Sequence, residues 1–507
     1  MNTESIVAVD LGTNSFRLQI ADIVDQRLVL KESLKETVQL GAGLDDNKML
    51  DEKTQKRALA TLSRFADRMR GYSANRVRIV GTNALRVAKN AGAFLYEAEK
   101  VLGYPIDVIS GFEEARLIYN GAAHALPSSK DSRFVVDIGG GSTEIMVGQG
   151  FELQLSSSLH MGCVSFSREF FPKGKITKQG FLDAELKARC ELLPMVDAFS
   201  KHGWAEAVGC SGTIKALCEL SHFLGHTESL GVCVRETLVE MKALLIKAGN
   251  VFDLDIDLIS SDRARVLAGG LSILLAVFDV FNLEKIDYSD GALLQGVFYD
   301  QVGRIDDKDF RDQTVNQMVK HYHVDIRQAD RVTALALSFY ESLSEMIGID
   351  QDKDHSLHCQ MLRWACRLHE IGKSISISGY HRHSAYILRY ADMSGFSKQN
   401  QAYLALLVFS QRGKMHHVLN QTILPKTLSV TDCALIICLR LAVLFLRSRR
   451  DLNVDVAWVK SGNRYQLVMK DTWLFQNPLI DSMLTNEFNQ WKQMPLAVTL
   501  VREGTNG

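Results

Sequence analysis

Ile6-Val7-Ala8-Val9-Asp10-Leu11-Gly12-Thr13-Asn14-Ser15-Phe16-Arg17-Leu18-Gln19-Ile20 lies near the start of the chain, and Phe134-Val135-Val136-Asp137-Ile138-Gly139-Gly140-Gly141-Ser142-Thr143-Glu144-Ile145-Met146-Val147 repeats its plan. Each stretch reads as a buried strand with a carboxylate at its end, a Gly-containing turn with a hydroxyl, and a second strand. Asp, Gly and Ser stand at the same relative positions in both: Asp10, Gly12 and Ser15 against Asp137, Gly139 and Ser142. One such turn is compatible with an ordinary β-hairpin, because Gly and Asn supply positive φ angles. Two matched copies imply two related halves facing each other across a phosphate. A Gly-rich turn exposes consecutive backbone N–H groups as a concave anion site. Ser and Thr hydroxyls add donors, and a strand-end Asp can hold a divalent cation. Mg²⁺ usually takes one or two carboxylates plus waters and phosphate oxygens, which one Asp per turn can provide. The competing phosphate motifs are missing: there is no G-x-x-x-x-G-K-[ST], and the Gly139 triplet lacks the third Gly of a dinucleotide fingerprint.

At 507 residues the chain is too long for one core and predicts three or four domains. Its 46% apolar and 23% charged residues are ordinary for a globular protein. A net charge of −1 means that a polyanion must be met by local basic clusters. Nine Cys without a paired C-x-x-C framework argue for a reducing compartment. The opening Met1-Asn2-Thr3-Glu4 shows no basic leader, and the longest apolar stretch, Val266 to Phe278, is too short to span a bilayer. The expectation is a cytoplasmic protein without an integral membrane segment.

Strand and helix patterns alternate over residues 1–120 and again over 121–303, which predicts mostly parallel sheets with ligands at the strand ends. Ala58, Leu62, Phe65 and Met69 recur at helical spacing within a helix expected near Asp51–Tyr72. From about Arg304 the texture changes to long amphipathic helices, the clearest at Ala329–Leu343 and Leu357–Leu368. Strand-like composition returns after residue 439, at Val454–Val459 and Tyr465–Met469. The domain expectation is therefore 1–120, 121–303, 304–438 and 439–507.

Between the two Gly turns, Ser110-Gly111-Phe112-Glu113-Glu114-Ala115-Arg116 ends one strand and opens a helix. Acidic residues are favoured in a first helical turn by the helix dipole alone. A carboxylate at this strand end is also placed to act as general base on a water attacking phosphorus. Gly81-Thr82-Asn83-Ala84-Leu85-Arg86 is the parallel case, with Arg86 offering a guanidinium for bidentate phosphate binding.

Taken in order with Met161-Gly162-Cys163-Val164-Ser165 and Ser211-Gly212-Thr213, these motifs resemble the exopolyphosphatase/guanosine pentaphosphate phosphatase family, a branch of the actin, Hsp70 and sugar-kinase superfamily. The resemblance implies an α/β fold class: two actin-like (ribonuclease H-like) lobes with an interlobe cleft, then an all-helical HD-like domain and a small C-terminal α+β domain. It implies Mg²⁺-dependent, processive removal of terminal phosphate from linear inorganic polyphosphate, and a homodimer. Carried onto this sequence, Glu114 is the general base, and Asp137, Glu144 and Asp10 are the metal ligands. Thr13, Asn14, Ser15, Arg86, Gly139, Gly140, Gly141, Ser142, Ser211, Gly212, Thr213 and Arg263 hold phosphates. Transfer of a phosphoryl group to water needs positioning, charge neutralisation and a base, and no covalent nucleophile.

The helical region carries Leu368-His369-Glu370-Ile371-Gly372-Lys373 and Ser378-Gly379-Tyr380-His381-Arg382-His383, closer to the longer exopolyphosphatases and similar to a degenerate HD-type phosphohydrolase. Glu370 stands where a working site has Asp, and is a further candidate for the reaction. The histidines are more simply hydrogen-bonded scaffold groups. Rival functions are hydrolysis of guanosine pentaphosphate to the tetraphosphate in the same cleft, a sugar- or acetate-kinase activity, and a non-catalytic polyphosphate or nucleotide switch. No nucleic-acid polymer is an expected partner.

Overall fold

The computed structural model of the protein describes residues 4–24, 27–127, 131–253, 261–305, 309–349, 355–415, 428–452, 454, 456–462, 464–492 and 494–504. Residues 1–3, on which the expectation about a leader partly rests, lie outside the described residues. The chain forms two compact units, Met1–Asp309 and Phe310–Gly507.

The first unit holds two sheets. Strands β1 (Glu4–Leu11), β2 (Ser15–Val24), β3 (Arg27–Thr37), β4 (Val77–Gly81) and β5 (Asp107–Val108) are ordered β3-β2-β1-β4-β5. Strands β6 (Ser132–Ile138), β7 (Thr143–Gln149), β8 (Glu152–Leu159), β9 (Glu206–Cys210), β10 (Val232–Val234) and β11 (Lys285–Tyr288) are ordered β10-β11-β9-β6-β7-β8. Each sheet therefore has the same nucleus: a meander of three antiparallel strands (β1–β3, β6–β8) continued by parallel strands. The expectation of mostly parallel sheets was wrong. Three residues separate β1 from β2, four separate β6 from β7 and two separate β7 from β8, and such short links permit only antiparallel pairing.

Outer faces are covered by amphipathic helices. Helix Glu52–Met69 starts at Asp51, whose carboxylate accepts from the Thr54 amide at 2.7 Å, and buries Leu62 and Phe65 against Val7, Val9 and Phe16. Helices Gly111–Ala125 and Leu293–Ile305 share a core with the inner faces of both sheets, including Ala8, Val80, Val135 and Val208. Gly121 and Gly296 let these two helices meet backbone to backbone, since a Cβ on either would clash with a carbonyl of its neighbour. A buried charge cluster completes this joint. Arg116 donates to Glu113 at 2.7 and 2.8 Å and to Asp300 at 2.5 Å; Arg304 donates to Asp300 at 3.0 Å, and Arg78 pairs with Asp300. Removing one member of such a cluster strands the others and costs about 3–5 kcal/mol. Helix Gly111–Ala125 also runs through the boundary drawn at 120/121, because it packs between the sheets rather than on one lobe.

In the second unit, helices Phe310–His321, Ile326–Ile347, His355–Leu368, Tyr380–Tyr390, Lys398–Ser410 and Val430–Phe445 enclose one core. The three-stranded sheet β12 (Val456–Ser461), β13 (Arg464–Lys470), β14 (Val498–Glu503) shares that core through Leu467, Met469 and Val498, beside Trp491. Helix Val430–Phe445 accordingly passes through the boundary at 438/439. Among the described residues no helix is long and apolar enough to cross a membrane.

Candidate active site

The two hairpins are congruent in register. Asp10 on β1 lies directly opposite Arg17 on β2, and Asp137 on β6 directly opposite Glu144 on β7. Residues paired this way project to one face of the sheet with Cβ atoms about 4.5–5.5 Å apart. Gly12 and Gly139 make the same close approach: an added Cβ would lie 2.8 Å from the Ser15 carbonyl oxygen in one turn and 3.0 Å from that of Ser142 in the other. Any side chain would open either turn, which explains the glycine in each copy. The turns also meet across the lobes, since a Cβ on Gly140 would come within 2.9 Å of Thr13 Cβ. Amides of Val38 and Gln39 take the Asn14 carbonyl at 3.1 and 2.7 Å, and the Gly41 amide takes that of Thr13 at 2.8 Å. Those of Cys163 and Val164 take the Gly139 and Gly140 carbonyls at 2.9 and 3.0 Å. Both turns thus have their carbonyls engaged from behind.

A cavity of about 730 Å³ opens in front of them. Asp10, Asn14, Ser15, Glu114, Asp137, Gly139, Gly140, Glu144, Ser211, Gly212, Thr213 and Arg263 all lie on its wall, so the structure gathers most of the expected site residues around one space. Thr13, Gly141, Ser142 and Arg86 are not on the wall. Thr13 and Ser142 are buried behind it. Arg86 donates through Nη1 to Glu114 Oε2 and to the Ile109 carbonyl, both at 3.0 Å. Its first task in this structure is to hold Glu114. The neighbouring carboxylate Glu113 is fully buried and belongs to the charge cluster, so the helix rotation of about 100° per residue separates a scaffold acid from a cavity acid.

The carboxylates on the wall are electrostatically frustrated. Burial, with a contribution from the Glu114 charge, pushes Asp10 up to about 7 against the opposing pull of Arg17. Burial, Glu114 and Asp10 push Asp137 up to about 8, again opposed by Arg17. Glu144 is held well above its ordinary range by burial, Glu114 and Asp137, although Ser158 donates to it at 2.7 Å. Burial raises Glu114 while Arg86 draws it down. Asp10 Oδ1 is buried without a hydrogen-bond partner among the described residues. Four acids raised by burial, an orphaned oxygen and an Asp/Glu pair across one ladder form a donor set suited to a hard divalent cation. Among the described residues no three His, Cys, Asp or Glu side chains close into a metal cage. Mg²⁺ does not require one, because it binds through one or two carboxylates and keeps several waters.

A third turn faces the hairpins. Ser211 holds a φ of +101°, sterically costly for a residue with a Cβ, and its hydroxyl accepts from the Ile214 amide at 3.4 Å. Gly212 leaves room for the Arg263 guanidinium, which a Cβ there would strike. The sequence reasoning missed Arg17, Thr82, Lys35, Lys215 and Tyr288 on the cavity wall. Alternation along β2 carries the first of them: Phe16, Leu18 and Ile20 are buried while Ser15, Arg17 and Gln19 face the cavity.

Glu370 lies in the second unit, where it accepts from Lys373 Nζ and Arg449 Nη2, each at 2.5 Å. His369 is buried, with Nδ1 2.6 Å from the Cys366 carbonyl, and burial lowers its pKa.

The profile of the Ppx/GppA phosphatase family matches residues 19–305, and that of Ppx/GppA phosphatase, domain III, matches residues 310–488. Among solved structures, an exopolyphosphatase from Cytophaga hutchinsonii is 26% identical with a TM-score of 0.53, the match covering 58% of this chain and 97% of that one. The PPX-GPPA enzyme of Aquifex aeolicus is 27% identical with a TM-score of 0.49, covering 58% of this chain and 98% of its own. With both halves of its length matched and the paired hairpins facing one cleft, the chain belongs to the Ppx/GppA phosphatase family.

Proposed function

We propose that the cleft hydrolyses the terminal phosphoanhydride of linear inorganic polyphosphate, releasing orthophosphate. The observation that carries this reading is the single wall shared by Asp10, Glu114, Asp137 and Glu144 with Gly-containing turns from both lobes. Asp137 and Glu144, with Asp10 across the cleft, would hold Mg²⁺. When bound, that cation neutralises anhydride oxygens and polarises the phosphorus. Backbone amides and hydroxyls of the Gly139–Ser142, Asn14–Ser15 and Ser211–Thr213 turns position the terminal phosphoryl group. Glu114, held through one oxygen by Arg86, orients a water and takes its proton as the P–O bond forms. Burial of Glu114 raises its proton affinity, which suits a base. The shortened chain leaves as its own anion, so no covalent intermediate is needed.

The choice of polymer over nucleotide is supported by the exopolyphosphatase from Cytophaga hutchinsonii and by the cations Arg17, Lys35, Lys215 and Arg263 on the cavity wall. The test is orthophosphate release from long-chain polyphosphate with Mg²⁺, run beside guanosine pentaphosphate. Faster turnover of the polymer is expected. Faster turnover of the nucleotide would replace this reading with guanosine pentaphosphate 5′-phosphohydrolase. Release from neither would point to a binding protein.

A further inference from the structure

The second hairpin continues into a third strand, and the row that begins at Asp137 continues with it. Asp137 lies opposite Glu144, and Glu144 opposite Ser158 on β8, so the three residues line up across β6, β7 and β8. Glu144 is 1% exposed, and its Oε1 accepts from the Ser158 hydroxyl at 2.7 Å. The Ser142 hydroxyl also hydrogen-bonds this carboxylate, from the turn itself. Asp137 and Glu144 lie on the cavity wall and Ser158 does not, so its contact with Glu144 is made from behind that wall. Ser158 has a second neighbour. Gly111, the first residue of the helix that carries Glu114, sits so close that a Cβ there would strike Ser158 Oγ and Cβ. One hydroxyl thus lies between the Glu144 carboxylate and the helix start that presents Glu114. The corresponding row of the first hairpin is Asp10, Arg17 and Lys35, with a cation where β8 has Ser158.

We propose that Ser158 is a positioning residue for the cation site: its hydroxyl fixes Glu144 through Oε1 and so presents Oε2 to the cavity beside the Asp137 carboxylate. The inference rests on the phosphoanhydride reading above and on its assignment of Mg²⁺ to Asp137 and Glu144. A glutamate side chain is long and rotamer-rich, and a carboxylate held in place before the cation arrives loses less freedom on binding it. Metal ligands depend on hydrogen bonds from the groups behind them, and losing one typically costs about 10–100-fold in affinity or activity. The Gly111 contact extends the effect toward the base. Because Ser158 packs on the Gly111 backbone, the same residue fixes Glu144 relative to the helical turn that bears Glu114. Ser158 itself touches neither cation nor substrate and takes no proton.

The test compares wild type, Ser158→Ala, Glu144→Gln, the double variant, and Ser157→Ala as a control on the opposite face of the same strand. Thermal melting confirms folding. Mg²⁺ binding to the substrate-free protein is read by calorimetric titration, and phosphate release from long-chain polyphosphate is read at varied Mg²⁺. Ser158→Ala is expected to weaken Mg²⁺ binding about tenfold and to raise the Mg²⁺ concentration for half-maximal rate by the same factor, with KM for polyphosphate at saturating Mg²⁺ within about twofold. Adding Ser158→Ala to Glu144→Gln should weaken binding little further, because the hydroxyl acts through that carboxylate. Ser157→Ala should match wild type. Wild-type Mg²⁺ affinity in Ser158→Ala would overturn the proposal. Additive losses in the double variant, or an equal loss in Ser157→Ala, would also overturn it, making the effect a general loosening of the sheet. Absence of phosphate release by a wild-type protein that binds Mg²⁺ would defeat the functional reading alone, since the titration still decides the role of Ser158. Absence of Mg²⁺ binding by the wild type would overturn the proposal.

Discussion

The first and second hairpins share a fold, a register and a glycine, yet they carry opposite charge where each faces its Asp: Arg17 in one, Glu144 in the other. A duplicated scaffold can thus become a polarised site by changing one residue per copy. The backbone supplies two equivalent turns, and the side chain across the ladder sets the charge that each presents beside its Asp. Glu114 belongs to neither hairpin. It enters from helix Gly111–Ala125, which shares its core with both sheets, and so it is fixed relative to both turns.

That comparison can be broken at several points. The largest effect is expected at the base: Glu114→Gln should lower kcat for phosphate release by about 10²–10⁴-fold while polyphosphate still binds, measured by turnover and by equilibrium titration. On the cation side, Asp137→Asn should raise the Mg²⁺ concentration for half-maximal rate by about 10–100-fold, the scale seen when metal-site partners are lost. Asp10→Asn should shift it less, because Asp10 faces a cation, Arg17, across its ladder whereas Asp137 faces a second carboxylate, Glu144. Equal shifts in the two variants would remove the distinction between the hairpins.

The pH dependence follows from the same acids. In metal-free protein Asp10 and Asp137 titrate near 7 and 8, above the roughly 3.9 of an unfolded Asp. Between about pH 4 and 8 the folded state therefore binds more protons than the unfolded one, and stability falls as pH rises through that window. Mg²⁺ should raise Tm more at pH 8 than at pH 5, and Asp137→Asn should shrink the difference; an equal rise at both values would contradict the assignment. The smallest effect on chemistry is expected at the charge cluster. Asp300→Asn should cost about 3–5 kcal/mol in denaturant unfolding yet leave kcat of the folded enzyme within about threefold, because Asp300 holds Arg116 and Arg304 and touches neither hairpin.

How much of this was readable beforehand varied with the residue. Asp10, Asp137 and the glycine turns were legible because a loop that must bring amides onto a phosphate tolerates few residue types. Arg86 was legible as a site residue but not in its role: its contact with Glu114 joins positions 28 apart, a separation that leaves no local pattern. Glu113 and Glu114 were indistinguishable in sequence, since only the helix's packing shows which of two adjacent acids faces Arg116 and which faces the cavity. Arg17 was quoted within the motif and passed over, because one cation on an alternating strand looks like surface decoration until its register against Asp10 is known. Helix Val430–Phe445 crosses an expected domain boundary because its apolar side chains serve the helices and the small sheet alike.

The most direct test of the account is a crystal structure with Mg²⁺ and a polyphosphate analogue whose bridging oxygens are replaced by methylene. The account predicts the cation on Asp137 and Glu144 and the terminal phosphoryl group between the Gly139–Ser142 and Asn14–Ser15 turns. A ligand bound away from both hairpins, with Asp10, Glu114 and Asp137 left bare, would contradict it.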